Sequence, residues 1–439
     1  MLTAFGRAFR TPDLRNKILF TLAILAVFRL GSTMPAPGVN YQHVHECLSQ
    51  NQNSSVLQLI NLFSGGALLQ LTVFALGIMP YITSSIIIQL LVVVIPRLER
   101  LKEQGQAGQA KLTQYTRYLT VSLAILQATG IVALARSGRL LPCTVGNTQI
   151  SLLYSTSVFR IITLVIVMTA GTAVIMWLGE LITDRGIGNG MSLLIFTSIA
   201  ARFPSQGSQI LQSKGAGAFI VVLLAGIAII VGIVFMEQGQ RRIPVQYAKR
   251  MIGRRMYGGT STYIPLKVNQ AGVIPVIFSS SLLYLPQLLS QVWTSNRGFT
   301  NFVATYFNRT DSWSYILTYA LLTIFFTYFY VAITFNPVEV SDNMRKYGGF
   351  IPGIRPGRPT AEYLEYVLSR ITLPGAMYLT AIAVLPILAL HFLPGSSAGT
   401  NQTFPFGGTS VLILVGVGLD TSKQIESQLM LRNYEGFLR

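Results

Sequence analysis

The chain has 439 residues, 51% of them hydrophobic and 11% charged, with a formal net charge of +18 from 33 Lys and Arg against 15 Asp and Glu. A soluble domain carries about 25% charged residues, so this composition speaks against one. Apolar runs recur from end to end and point to a polytopic helical membrane protein. A β-barrel does not fit, because its spans are shorter and alternate polar with apolar residues.

In chain order, ten spans are expected: about 18–34, 74–95, 118–136, 158–180, 190–203, 216–236, 271–290, 314–335, 371–392 and 409–430. A crossing helix needs roughly 20 apolar residues, so 190–203 must be broken, shielded or extended by its flanks. The N-terminal tail and the loops after even-numbered spans hold 24 Lys and Arg, and the loops after odd-numbered spans hold few. Positive residues stay in the cytosol. Both termini are therefore expected there, with an uncleaved first anchor rather than a signal peptide.

Residues 55–95 carry no charge. That is too long for one span and too short for two with a loop. We expect a half-helix over 55–74, with Asn61, Ser64, Gly65 and Gly66 in its middle, that enters the membrane from outside, breaks, and continues as the second span. Such re-entrant backbone is tolerated only inside protein or against water. An outer-leaflet surface helix is the plainer alternative.

The second span, ALGIMPYITSSIII (75–88), has a counterpart in AGVIPVIFSSSLLY (271–284): Gly77, Pro80, Ile82, Ser84 and Ser85 align with Gly272, Pro275, Ile277, Ser279 and Ser280. Each is the second span of a five-span half, so the halves 1–205 and 206–439 run inverted to each other. Inverted repeats place matched elements face to face at the membrane middle.

Two loops interrupt the second half. Residues 237–270 alternate with period two at 242–247 and 262–268, which predicts two short strands. Seven Lys and Arg against one acid, Glu237, crowd this loop, with Lys249, Arg250, Arg254 and Arg255 at its tip. We expect it to dock something anionic; a lipid-hugging loop is the plainer reading. Residues 336–370 contain GFIPGIRPGRP, whose Pro and Gly turns hold Arg355 and Arg358 in defined positions.

Cys47 and Cys143 both fall on the non-cytosolic side, where they can form a disulfide or remain two thiols. His43, His45 and Glu46 are spaced as in an ordinary solvated loop. No P-loop, HExxH or GxSxG occurs, and no metal, cofactor or enzymatic activity is implied. Asp420 and Lys423, one turn apart, can pair. Two readings compete: an inverted-repeat secondary transporter for a small solute, and a passive conduit with an apolar constriction, driven by partners docked on the basic loops.

The chain also resembles the SecY family of protein-translocating channel subunits, above all its actinobacterial forms. The markers are INLFSGGAL (60–68), ALGIMPYI (75–82), QYTRY (114–118), GIGNG (186–190), QRRIPVQYAKR (240–250), KVNQAGVIP (267–275), FNP (335–337), GIRPG (353–357) and FGGTS (406–410). The resemblance implies an all-α fold of ten transmembrane helices in two inverted halves around a pore, in the bacterial plasma membrane. It implies a pore ring of Ile82, Ile86, Met191, Ile195, Ile277 and Ile413, with Met191 where Ile is commoner. A displaceable plug corresponds to about 60–72, with Asn61, Leu62, Phe63, Ser64, Gly65 and Gly66. A lateral gate corresponds to Ser84, Ser85, Ser279, Ser280 and Ser281. The ribosome and the SecA motor would dock on Arg241, Arg242, Lys249, Arg250, Arg254, Arg255, Arg355 and Arg358. SecE, SecG, signal peptides, nascent chains and anionic lipids complete the implied partners, and no cofactor is among them.

Overall fold

The computed structural model describes residues 9, 11–50, 64–136, 144–145, 148–149, 152–154, 157–247, 250–252, 255–257, 261–292, 297–306, 312–392 and 408–435. In chain order the helices are α1 (Pro12–Thr33), α2 (Tyr41–Gln50), α3 (Met79–Val94), α4 (Pro96–Glu103), α5 (Gln106–Arg136), α6 (Val158–Arg185), α7 (Gly190–Ala200) and α8 (Phe203–Gln238). They continue with α9 (Ile274–Val292), α10 (Arg297–Tyr306), α11 (Trp313–Thr334), α12 (Pro337–Lys346), α13 (Arg358–Phe392) and α14 (Gly408–Glu435). Every expected span has a helix at its place. Those at 106–136, 158–185, 215–238, 313–346 and 358–385 are long and apolar enough to cross a membrane by themselves.

Punctuation residues set the boundaries. Proline opens α1, α4 and α12, where its missing N–H costs nothing. Between α3 and α4 the chain bends by 100° ahead of Pro96. Asn189 and Asn336 cap α7 and α12, each side chain accepting from two backbone amides. The short fifth span is α7, and α8 begins three residues after it ends. Within α8, Gly215 adopts φ 80° and breaks the helix, so the stretch 203–214 joins the fifth span to the sixth.

The fold is not purely helical. Strands β1 (Thr144–Val145) and β2 (Thr148–Gln149) pair, as do β4 (Arg250–Ile252) and β5 (Arg255–Tyr257). The strands expected in the long basic loop are β3 (Gln240–Tyr247) and β6 (Ser261–Lys267), antiparallel from Gln240↔Lys267 to Gln246↔Ser261. A third strand, β7 (Gly349–Phe350), comes from the loop over 336–370 and pairs with β3 at Gln246 and Tyr247. Ile243, Leu266, Ile351, Leu364 and Val367 form a core beneath this sheet. The two loops are thus one small β-rich lobe.

Residues 64–78 are a succession of turns. The half-helix expected across this region is absent from its described part. Positive φ at Gly65, Gly66, Leu71 and Gly77 is the reason, since right-handed helix cannot pass through such residues.

Candidate functional site

An apolar cluster joins α1, α3, α6, α7, α9 and α14. Ile78 and Met79 open α3 at its rim, Ile195 and Ile199 come from α7, Ile277 from α9, and Ile413 and Val417 from α14. Ile82 and Met191 pack against it partly buried. Five of the six residues expected in the ring, Ile82, Met191, Ile195, Ile277 and Ile413, therefore meet in one place. Ile86, one turn beyond Ile82, is half-buried and is not a member. Helix–helix approach here is close. A Cβ at Gly179 would meet the Met191 sulfur, and one at Gly190 would run into the Gly179 carbonyl.

The turn segment 64–78 lies over the cluster, with Val73 and Phe74 packed into it. Phe74 stacks on Phe28 of α1 at 6.0 Å between centroids. Helix glycines make room for it: a Cβ at Gly31 would strike the Phe74 ring, and one at Gly171 the Val73 carbonyl. At its start, Ser64 Oγ accepts from the Leu68 amide at 3.1 Å. Asn61, Leu62 and Phe63 lie outside the described residues.

The paired segments have the same local build. Gly77 and Gly272 have φ of 58° and 61°, and Pro80 and Pro275 are each the second residue of a helix. Helix α9 packs against both α3 and α5 of the other half. Ser84 and Ser279 are fully buried. Ser279 faces its own half, where its hydroxyl accepts from Thr323 of α11 at 3.2 Å. Ser280 donates to Ile277 O at 2.9 Å, Ser85 is half-buried, and the buried Ser281 hydroxyl has no hydrogen-bond partner.

On the β-rich lobe Arg241, Arg242, Arg355 and Arg358 are exposed. Arg242 lies over the Tyr263 ring at 4.8 Å, and Arg358 pairs with Glu362 at 3.0 Å. The loop carrying Arg355 is pinned by Ser341 Oγ donating to Gly357 O at 2.7 Å and Thr360 Oγ1 donating to Arg355 O at 2.9 Å. Lys249 and Arg254 lie outside the described residues. Arg250 and Arg255 occupy β4 and β5. Asp420 pairs not with Lys423 but with Lys267 at the foot of β6, at 3.7 Å. Cys47 is buried and disulfide-bonded, and Cys143 lies outside the described residues. Among the described residues no group of His, Cys, Asp and Glu could hold a metal ion.

The SecY family profile matches residues 72–422. The chain belongs to the SecY family. "Protein translocase subunit SecY" of Mycobacterium tuberculosis (strain ATCC 25618 / H37Rv) is 62% identical, and that of Streptomyces galbus 64%, each covering 100% of both chains. Two solved structures share the fold. "The structure of a protein conducting channel" aligns over 94% of this chain and 91% of that one, with TM-score 0.63 and 16% identity. "Sec61 in the Canine ribosome-channel complex from the endoplasmic reticulum" gives 0.59 and 15% over the same shares. The SecY family is one of translocation channels rather than known enzymes, and the small-solute transporter alternative finds no support.

Three features escaped the sequence reading. Arg29, near the end of the first span, turns its guanidinium inward and donates to Gly65 O at 3.0 Å. Glu180, on a span, has a bidentate partner in Arg117, at 2.9 and 2.7 Å. Asn269, just ahead of α9, donates to Glu237 Oε1 at 2.6 Å and ties the end of α8 to the start of α9. A lone cation ahead of a long uncharged stretch was the one available signal for the first.

Proposed function

We propose that the apolar cluster is the constriction through which unfolded secretory chains cross the bacterial plasma membrane. The observation that carries this reading is the convergence of Ile82, Met191, Ile195, Ile277 and Ile413, drawn from α3, α7, α9 and α14. Such a ring offers a passing polypeptide no hydrogen bonds. It excludes water and ions when closed, and the flexible Met191 keeps the seal soft.

Residues 60–72 act as the plug. The halves 1–205 and 206–439 part along α9, whose packing against α3 and α5 provides the seam by which membrane segments leave sideways. Ser84, Ser85, Ser279, Ser280 and Ser281 keep the gate helices slim. Both termini and the β-rich lobe lie in the cytosol. The lobe's arginines dock the ribosome and SecA, anionic lipid headgroups surround its base, and SecE and SecG complete the complex. Energy comes from these partners or the membrane potential.

A stalled secretory chain tests this. A cysteine at Ile82, packed against the cluster, is expected to cross-link to it, and one at Phe159 of α6, which is 78% exposed, is not. Equal labelling of the two positions would overturn the constriction.

A further inference from the structure

We infer that Arg29 is the latch that holds the plug shut, a positioning residue at the releasable end of the segment. This rests on the reading of 60–72 as a plug.

The segment is held differently at its two ends. Its C-terminal end is stitched to backbone: the Ala36 amide donates to Leu71 O at 3.1 Å, and the Val73 amide donates to Met34 O at 3.0 Å. Phe74 is further clamped by the Phe28 ring and the flat surface at Gly31. No plug movement can pass through these contacts without rebuilding the start of α3. The described N-terminal end is a left-handed turn, Gly65 at φ 67° and Gly66 at φ 97°. Here the described grip from α1 is a side chain. Arg29 Nη1 donates to Gly65 O at 3.0 Å and reaches Ser32 Oγ at 3.4 Å. Among the described residues Arg29 has no acidic partner, so its charge depends on these oxygens.

The other side of the turn faces the junction between the halves. A Cβ on Gly65 would lie 3.3 Å from Ser198 Cα, and one on Gly66 3.6 Å from Arg202 Nε. The Gly65–Gly66 turn thus touches both Arg29, 3.4 Å from a Cβ on Gly65, and Arg202. The carbonyl of Gly65 accepts from the half-buried Arg29, and its withdrawal takes from that cation a charge-assisted hydrogen bond. A charge-assisted hydrogen bond is roughly twice as strong as a neutral one. The turn therefore stays docked at rest.

The test uses the full chain reconstituted with its partner subunits in proteoliposomes, comparing Arg29→Met, Arg29→Lys and a variant lacking residues 64–70. Resting ion leak and translocation of a signal-bearing precursor are both read. Arg29→Met is expected to leak about ten- to a hundredfold more at rest, as loss of a charged hydrogen bond implies, while still translocating. Arg29→Lys stays near the parent. A tight Arg29→Met beside a leaky deletion overturns the latch alone. A tight deletion overturns the plug reading and the latch with it. Should Arg29→Met fail to translocate, Arg29→Gln is judged by the same two readings: leak supports the latch, and a tight seal overturns it.

Discussion

Ser84 and Ser279 make the same bond in opposite halves of the chain: each hydroxyl donates to the carbonyl of the proline four residues before it, Ser84 to Pro80 at 2.7 Å and Ser279 to Pro275 at 2.8 Å. A hydroxyl satisfied within its own helix makes no demand on the neighbouring one. Ser84 is thus a small, dry spacer that lets helices approach, and Ser279 adds a hydrogen bond from Thr323 of α11. The glycine and proline ahead of them fix where each helix starts.

Gly272 should resist even a methyl group. A Cβ there meets nothing within 4 Å, so the cost of Gly272→Ala is the left-handed backbone alone, roughly 1–2 kcal/mol. Asparagine tolerates this region better. We expect Gly272→Ala to lower the Tm of the purified complex and Gly272→Asn to lower it less. Equal melting of all three proteins would contradict the shared glycine turn.

Gly171 should fail for the opposite reason. Its backbone is helical, and the obstacle is the Val73 carbonyl pressed against it. Gly171→Ala must push residues 73–74 off α6, at about 1–3 kcal/mol of overpacking. Precursor translocation should persist while resting leak rises. Unchanged leak would mean that α6 does not support the turn segment.

The helices were legible because twenty-residue apolar runs and proline starts are local signals. The β3–β6 hairpin was legible by its alternation, Ile243 and Val245 facing in while Arg242 and Pro244 face out. β7 was not: two residues carry no period, and only the fold brings Phe350 to Gln246. Over 64–74 the expected half-helix gives way to turns, because an apolar run reads as helix whatever φ its glycines adopt. Arg29 did not stand out because a cation near a span end has two escapes, outward to the headgroups or inward to a carbonyl. Sequence alone cannot choose between them. The repeat paired Ile82 with Ile277, but the proposed ring, Met191, Ile195 and Ile413 included, came from the family resemblance alone.

Arg355 and Arg358 should separate docking from stability. Arg358 pairs with Glu362 at a heavily exposed site, so Arg358→Ala should change stability by less than about 0.5 kcal/mol. Arg355 is exposed in a loop fixed by backbone contacts. Arg355→Glu should leave the Tm unchanged and abolish secretion, measured by export of a reporter precursor. Normal export from that variant would remove Arg355 from the docking surface.

The decisive substitutions are Ile82→Asn and Ile277→Asn together. Ile277 is 7% exposed and Ile82 half-buried, both in the same apolar cluster. An amide placed there without a partner costs about 1–3 kcal/mol in a dry seal. The same amide costs little once water enters. The double substitution therefore destabilises the closed constriction relative to the wet one, and should do so even with the plug segment intact. Resting conductance of the reconstituted channel should rise, and precursors with weakened signal sequences should begin to cross. Conductance at the parent level would mean that the cluster is ordinary helix packing and that polypeptides cross elsewhere.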